Sequence, residues 1–275
     1  MGATAPHLGL CRPITFLAVC LERAPMKIPG GAVTRLMGII GHIALGGGIA
    51  LVFPAGALMR TPRGQRIVRW WHRRLLRILG LELRIYGIPA AAPALIVANH
   101  ISWVDFAAVG AVIPGHFVAK SEIRSWPLIG WFAGQGGTIY IKRGDRGAST
   151  IVDAQMVAAL HRQESIILFP EGTTSDGQTV QMFHPRLFAV AIEADVTVQP
   201  VALRYSDSAN HACPAASFVG REKLIHHLWR LLRERGTLKV EVYFLAPEQS
   251  LGASSLMLAT NARNAILQCI EPVTA

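Results

Sequence analysis

A histidine stands just beyond a short apolar run of the sequence, and an aspartate follows it five residues later. The run at 94–98 predicts a buried strand that leads directly into Asn99 and His100, with Asp105 in the next turn. Sites of α/β folds lie beyond the carboxyl ends of strands. A carboxylate on one ring nitrogen fixes the histidine tautomer and leaves the other nitrogen as a base. His100 and Asp105 are therefore a candidate general base and its orienting partner, although this spacing alone is also common in structural pairs.

Two further predicted strands end in polar residues. The strand at 165–169 leads into a glycine-containing loop at 170–177, which exposes hydroxyl and backbone N–H groups. Such a loop can hold an anionic or hydroxyl-bearing ligand, and it equally fits a plain polar turn. The segment at 137–143 ends in Lys142 and Arg143, which either meet a phosphate or carboxylate or form a solvated edge.

Taken together, these segments resemble the glycerolipid acyltransferase family, typified by 1-acyl-glycerol-3-phosphate acyltransferases. Residues 99–105 resemble its N-H-x4-D block, and residues 169–173 read F-P-E-G-T as its acceptor block does. Residues 137–143 and 198–202 resemble its second and last blocks, so that all four occur in the family's order. The resemblance implies transfer of a fatty acyl group from acyl-CoA or acyl carrier protein to the free hydroxyl of a lysolipid. It implies no metal or other cofactor, and it favours 1-acyl-glycerol-3-phosphate as the acceptor.

The same resemblance assigns functions to individual residues. It makes His100 and Asp105 the catalytic pair, and it leaves Glu171 as either an acceptor contact or a structural support of its loop. The substrate-binding residues that it implies are Lys120, Arg143, Glu171, Gly172, Thr173 and Thr174.

The sequence departs from the family pattern where a phosphate would be held. Thr174 stands where phosphate-handling members usually carry arginine, and His184, Pro185 and Arg186 alter the usual F-K-x-G-x-F stretch. Loss of a bidentate arginine weakens the case for a phosphate-bearing acceptor. The ending at 173–177 resembles instead the branch that acts on lyso-ornithine lipid, which has no phosphate. Lys120, Arg143 and Arg186 could still supply positive charge, so both acceptors remain open.

Other classes of function fit the sequence less well. No G-x-S-x-G motif is present, and Ser102 lacks that context, which argues against a serine hydrolase. A thioesterase would differ by transferring the acyl group to water. A non-catalytic membrane adaptor would be expected to have lost His100 or Asp105, and both are present.

The net charge of +10 comes entirely from the amino-terminal part of the chain. Residues 1–100 hold 12 Lys and Arg against two acids, whereas the rest of the chain holds 15 of each sign. An excess of basic over acidic residues often indicates nucleic acid as a partner. Here the basic part is also the apolar part, which favours membrane lipids and argues against nucleic acid.

An uncharged run of 24 residues at 36–59 is followed by a helix rich in arginine. As a helix the run would be roughly 36 Å long, enough to cross a hydrocarbon core of about 30 Å. A buried core helix and a re-entrant hairpin are the alternatives. Arg66, Arg69, Arg73 and Arg77 share one helical face, as in a helix that lies among lipid headgroups. The alternative is a solvated face of a helix that packs on the protein's own core. These features predict attachment to the inner membrane, with the catalytic domain in the cytoplasm.

Beyond residue 80, short apolar strands alternate with helical patterns. This alternation predicts an α/β fold with a mixed, largely parallel sheet flanked by helices. The chain is therefore expected to divide into a membrane-anchoring and basic amphipathic segment, 1–80, and an α/β acyltransferase domain, 81–275. Its four cysteines form no C-x-x-C pair and are expected to be reduced.

Overall fold

The computed structural model describes residues 31–53, 56–142, 146–220, 222–234 and 236–271, without the side chains of 146–149. The predictions made for Arg143 and for residues 1–30 lie outside the described residues.

A single sheet of seven strands forms the centre of the molecule. Its order is β1-β7-β6-β2-β5-β3-β4, and all neighbours are parallel except β6 and β7. The prediction of a mixed, largely parallel sheet is confirmed. The strands are β1 (Leu81–Tyr86), β2 (Ala94–Ala98), β3 (His116–Lys120), β4 (Ile139–Ile141), β5 (Ile166–Leu168), β6 (Thr197–Ser206) and β7 (Leu238–Phe244).

Helices cover both faces of the sheet, as its nearly continuous apolar central strands require. One face carries α1, α2, α3 and α7, and the other carries α5, α6 and α8. The described helices are α1 (Ala32–Val52), α2 (Pro62–Leu79), α3 (Asp105–Gly110), α4 (Ile129–Gln135), α5 (Arg146–His161), α6 (Ala189–Glu193), α7 (Leu224–Arg233) and α8 (Ser255–Ile270).

The first two helices run antiparallel and pack closely. Along α1, Gly38 lies against Ile78 of α2, whereas Gly46 lies against Trp71 of α2 and Phe132 of α4. A β-carbon at Gly46 would stand 2.7 Å from the Phe132 ring, so the absence of a side chain permits this approach. Within the described residues, α1 is the helix long and apolar enough to cross a membrane, and 17% of its apolar window is buried.

The ends and faces of α2 follow from its sequence. The Thr61 hydroxyl accepts a hydrogen bond from the Gly64 N–H at 3.1 Å, and Gly80 ends the helix in the left-handed conformation. The apolar face is buried through Leu76, Ile78 and Leu79. The opposite face is exposed and basic, with the arginines Arg63, Arg66, Arg73 and Arg77.

Candidate active site

His100 and Asp105 meet at the carboxyl end of β2, as the sequence predicts. The Nδ1 atom of His100 lies 2.8 Å from Oδ2 of Asp105. Because the carboxylate accepts this hydrogen bond, Nδ1 carries the proton and Nε2 is left as the basic nitrogen. Nε2 has no hydrogen-bond partner among the described residues, and the His100 side chain remains 15% exposed.

Four hydrogen bonds hold the fully buried Asp105 carboxylate. Besides the His100 ring, the backbone N–H groups of Ile101 and Ser102 donate to Oδ2 at 2.7 and 2.9 Å. The Tyr205 hydroxyl on β6 donates to Oδ1 at 2.6 Å. Burial and the adjacent Asp105 charge raise the pKa of Tyr205 well above its ordinary value, so the phenol remains a donor. The carboxylate is therefore fixed in position by groups that can only donate to it.

Aromatic rings fix the plane of the His100 imidazole. Phe169 stacks on it with ring centroids 4.3 Å apart, and Phe106 meets it edge-on at 5.9 Å. Phe169 directly follows β5, the strand next to β2, and Phe106 is the second residue of α3. The imidazole is therefore held by hydrogen bonding at one edge and by packing on its face.

Glu171 joins the two strand-end loops. One carboxylate oxygen accepts from the His100 N–H at 2.7 Å, and the other accepts from the Gln181 N–H at 2.9 Å. Its burial raises its pKa, and these two backbone donors offset part of the rise. The Ser175 N–H donates to the His100 carbonyl at 2.8 Å and closes the same junction. Glu171 was considered either as an acceptor contact or as a structural support of its loop. These contacts favour the structural support.

Asn99 fastens the catalytic loop to β6. Its amide nitrogen donates to the Leu203 carbonyl at 3.0 Å, and its oxygen accepts from the Leu203 N–H at 2.7 Å. The residues at 198–202, which resemble the last family block, lie on β6 directly beside β2, where Pro200 pairs with Val97. This block therefore shapes the strand next to the base.

The structure brings together only part of the predicted substrate-binding set. Gly172, Thr173 and Thr174 form the loop beside His100, and the left-handed backbone of Gly172 favours glycine there. The Thr174 hydroxyl donates to the Phe218 carbonyl, and Thr173 is exposed. Half-buried Lys120 ends β3, two strands away from β2.

Arg186, which sequence analysis considered as a source of positive charge, is engaged elsewhere. Its guanidinium pairs with Asp153 of α5 at 3.0 Å. Within the described ranges, no group of three or more His, Cys, Asp or Glu side chains could hold a metal ion.

Sequence reasoning missed two supports of the site. Tyr205 lies 100 residues from Asp105 along the chain, and no local pattern marks it. The buried His227 of α7 accepts a hydrogen bond from the Trp103 indole N–H at 2.9 Å. Burial and the nearby Arg230 lower the pKa of His227, which keeps the ring neutral and able to accept that bond.

Comparisons with known proteins agree with this geometry. Residues 82–204 match the family model described as Acyltransferase. The chain is 41% identical to the lyso-ornithine lipid O-acyltransferase of Pseudomonas aeruginosa, over 83% of this chain and 89% of that protein. It is 37% identical to a 1-acyl-sn-glycerol-3-phosphate acyltransferase of Neisseria gonorrhoeae, over 61% of this chain and 66% of that protein. The crystal structure of the 1-acyl-sn-glycerophosphate acyltransferase from Thermotoga maritima shares the fold, with a TM-score of 0.66 at 20% identity. That match covers 89% of this chain and 95% of the crystallised one.

Proposed function

Because this chain belongs to the acyltransferase family, we propose that it transfers a fatty acyl group from an acyl thioester to the free hydroxyl of a lysolipid, with lyso-ornithine lipid as the acceptor. The observation that carries the reaction type is the His100–Asp105 pair at the end of β2. The donor is acyl-CoA or acyl carrier protein. The residues implied by the family resemblance do not include a metal ligand or a cofactor contact.

The reaction begins with proton removal by His100. Nε2 takes the proton of the acceptor hydroxyl while the oxygen attacks the thioester carbonyl, and Asp105 stabilises the imidazolium that forms. Collapse of the tetrahedral intermediate breaks the carbon–sulfur bond. The thiolate leaves and takes the proton back from Nε2, so the base is regenerated in one cycle.

The negative charge on the intermediate needs a donor close to His100. The N–H groups of His100, Ile101 and Ser102 are already used by Glu171 and Asp105. Within the described residues, the backbone N–H groups of Thr173 and Thr174 have no acceptor. They are the proposed oxyanion donors, since unused donors in a fixed loop require no reorganisation during the reaction.

The residue at position 174 is a threonine and not an arginine, which supports an acceptor without phosphate. The Thr174 hydroxyl is directed to the Phe218 carbonyl, and Arg186 is paired with Asp153. Two of the positions that could have held a phosphate are therefore occupied by other contacts. The extent of identity to the Pseudomonas aeruginosa enzyme supports the same acceptor. Lysophosphatidate, which the motif resemblance alone favours, remains the second candidate because of the 37% identity to the Neisseria gonorrhoeae enzyme.

A competition between acceptors tests this proposal. The purified protein is given one acyl thioester with lyso-ornithine lipid and 1-acyl-glycerol-3-phosphate together, and both products are quantified. We expect acylation of the ornithine lipid to dominate. Dominant formation of phosphatidic acid would overturn the choice of acceptor, and release of free fatty acid with neither lipid acylated would indicate a thioesterase. The His100→Ala variant is the control for activity that does not come from the site.

The proposed location is the cytoplasmic side of the inner membrane. The antiparallel packing of α1 and α2 supports one way in which the helices meet lipid. If α1 crossed the bilayer, α2 would carry Arg66, Arg73 and Arg77 into the hydrocarbon. Each arginine there costs about 2.5–3.5 kcal/mol on insertion scales. Of the two ways considered for α1 to enter a membrane, this supports the re-entrant hairpin over a helix that crosses the bilayer. The apolar face of α1 enters the acyl chains, and the arginines of α2 stay among headgroups.

A further inference from the structure

Helix α7 presents an apolar edge that the described residues do not cover. Ile225 and Trp229 lie one turn apart on this edge and are 62% and 43% exposed. His227 and Leu231 are buried on the opposite side of the helix, and Leu232 is buried beside the edge, so α7 is firmly seated on the domain. We call the exposed pair the α7 ridge. A tryptophan and an isoleucine in this position are typical of a helix at a membrane interface.

A cleft separates the α7 ridge from α1. Its volume is about 230 Å³, and it is lined by Leu36 of α1 together with Ile225, His226, Leu228, Trp229 and Leu232 of α7. Its walls are almost entirely apolar. A cleft of this kind between two surface helices suits hydrocarbon better than water.

Cationic groups border the ridge. The Arg233 guanidinium lies 5.8 Å from the centre of the Trp229 ring, and Arg230 follows on the same side. Arg230 is partly neutralised by Glu222 at 3.1 Å, whereas Arg233 is exposed. An apolar edge with a basic flank matches a surface that has hydrocarbon below and anionic headgroups above.

Helix α1, which borders the cleft through Leu36, also has an exposed apolar face. Val33, Met37 and Ile40 form that face at the start of α1, and all are more than half exposed. The Arg35 guanidinium donates to the Glu234 carbonyl at 3.0 Å, which ties the end of α7 to the start of α1. The two helices that carry these apolar surfaces are therefore held side by side.

We propose that α7 is a second membrane-contact element, whose ridge and cleft lie against the acyl chains of a bilayer containing anionic lipid. This inference rests on the membrane attachment of α1 proposed above. It adds a point of contact within the catalytic domain itself. Through the bond from Trp103 to His227, the ridge is joined to the loop that carries His100, so the active site is held at a fixed position relative to the membrane surface.

Site-specific quenching by lipid tests the proposal on the full-length protein. Single cysteines are introduced at Ile225, Met37 and Ile151 in a background without the native cysteines and are labelled with an environment-sensitive fluorophore. The protein is placed in phosphatidylglycerol-containing nanodiscs with or without brominated acyl chains. Ile151 on α5 is the matched control, because it is an isoleucine 61% exposed on a helix of the opposite sheet face.

The expected result is a blue-shifted emission and several-fold quenching at positions 225 and 37, with neither at 151. Quenching at 37 without quenching at 225 would overturn the α7 proposal and leave the attachment of α1 intact. The absence of quenching at both positions would overturn both. A blue shift at 225 that appears in detergent and grows with protein concentration would indicate a second copy of the chain on the ridge, and it would also overturn the proposal.

Discussion

The catalytic loops and the contact of α1, α2 and α4 both bury polar side chains, but they differ in whether those side chains are hydrogen-bonded. In the catalytic loops, Asp105 accepts four hydrogen bonds and Glu171 accepts two. At the contact of α1, α2 and α4, the described residues leave several buried polar atoms without a partner. These atoms are both ring nitrogens of His42, Nε1 of Trp71, Nδ1 of His72, an Nη of Arg74 and Oε1 of Gln135.

The difference in hydrogen bonding indicates that the two regions are stabilised in different ways. A buried polar atom without a partner costs about 1–3 kcal/mol, so the helical contact must be stabilised by shape and apolar burial. Gly38 and Gly46 allow this close packing, and the His42 ring stacks on Trp71 at 4.2 Å. The catalytic loops instead use paired polar groups to fix one geometry. Ser102 is their exception, since its hydroxyl is buried without a partner.

The largest effect is expected for the catalytic pair. His100→Ala and Asp105→Asn should each lower kcat by about 10²–10⁴-fold, because the base is removed in one variant and misoriented in the other. Turnover of the purified variants with an acyl thioester and lysolipid measures this, and circular dichroism checks the fold. Near-normal turnover by His100→Ala would remove the basis of the proposed mechanism.

Tyr205→Phe should have a smaller effect on the same network. It leaves Oδ1 of Asp105 buried without the only side-chain donor described for it, and losing a bond to a charged group costs about 1.5–3 kcal/mol. We expect a lower kcat with little change in KM, since Tyr205 positions Asp105 and does not contact the acceptor. Tyr243→Phe deletes the same hydroxyl on neighbouring β7 and should leave kcat unchanged. Equal effects from both variants would contradict a specific function of Tyr205.

The raised pKa of Glu171 predicts a modest pH dependence of stability. The folded protein holds this proton more tightly than the unfolded chain, whose ordinary value is 4.5. The contribution to stability is therefore full below that value and is lost as the pH rises through the folded-state pKa. Thermal unfolding of the wild type and of Glu171→Gln is compared between about pH 4 and pH 8. The stability of the wild type relative to the variant should decline as the pH rises. If the stability of the wild type relative to the variant rose with pH, folding would instead favour the carboxylate form of Glu171.

The smallest effect is expected at the helical contact. His42→Phe keeps a ring against Trp71 and removes two buried nitrogens that have no described partner. The midpoint of thermal unfolding should stay unchanged or rise, and kcat should be unaffected, because replacing an unpaired polar group by an apolar one of similar shape is neutral or stabilising. A marked loss of stability would show that His42 is paired in the membrane, and the contrast between the two regions would disappear.

The sequence by itself determined the local elements and the position of the chemistry. The apolar runs at 94–98 and 165–169 predicted β2 and β5 to within one residue at each end, and the same patterns placed His100 and the loop at 170–177 beyond two strand ends. The spacing of His100 and Asp105 was sufficient because the contact lies within one turn of the chain. The catalytic and substrate-binding functions of these residues stay predictions, and so does the division of the chain at residue 80.

Only the tertiary structure decided which distant groups complete each region. Tyr205 reaches Asp105 because β6 pairs with β2, and Glu171 reaches the His100 N–H because β5 pairs with β2 on the other side. The sequence left open whether the apolar run at 36–59 spans, re-enters or packs in the core. The structure places α1 against α2 with 17% of its apolar window buried, and the way in which α1 meets a membrane stays a prediction. Periodicity along the chain reports which side of an element is apolar. It carries no information on which other element covers that side, since strand order and helix docking join residues that lie a hundred positions apart.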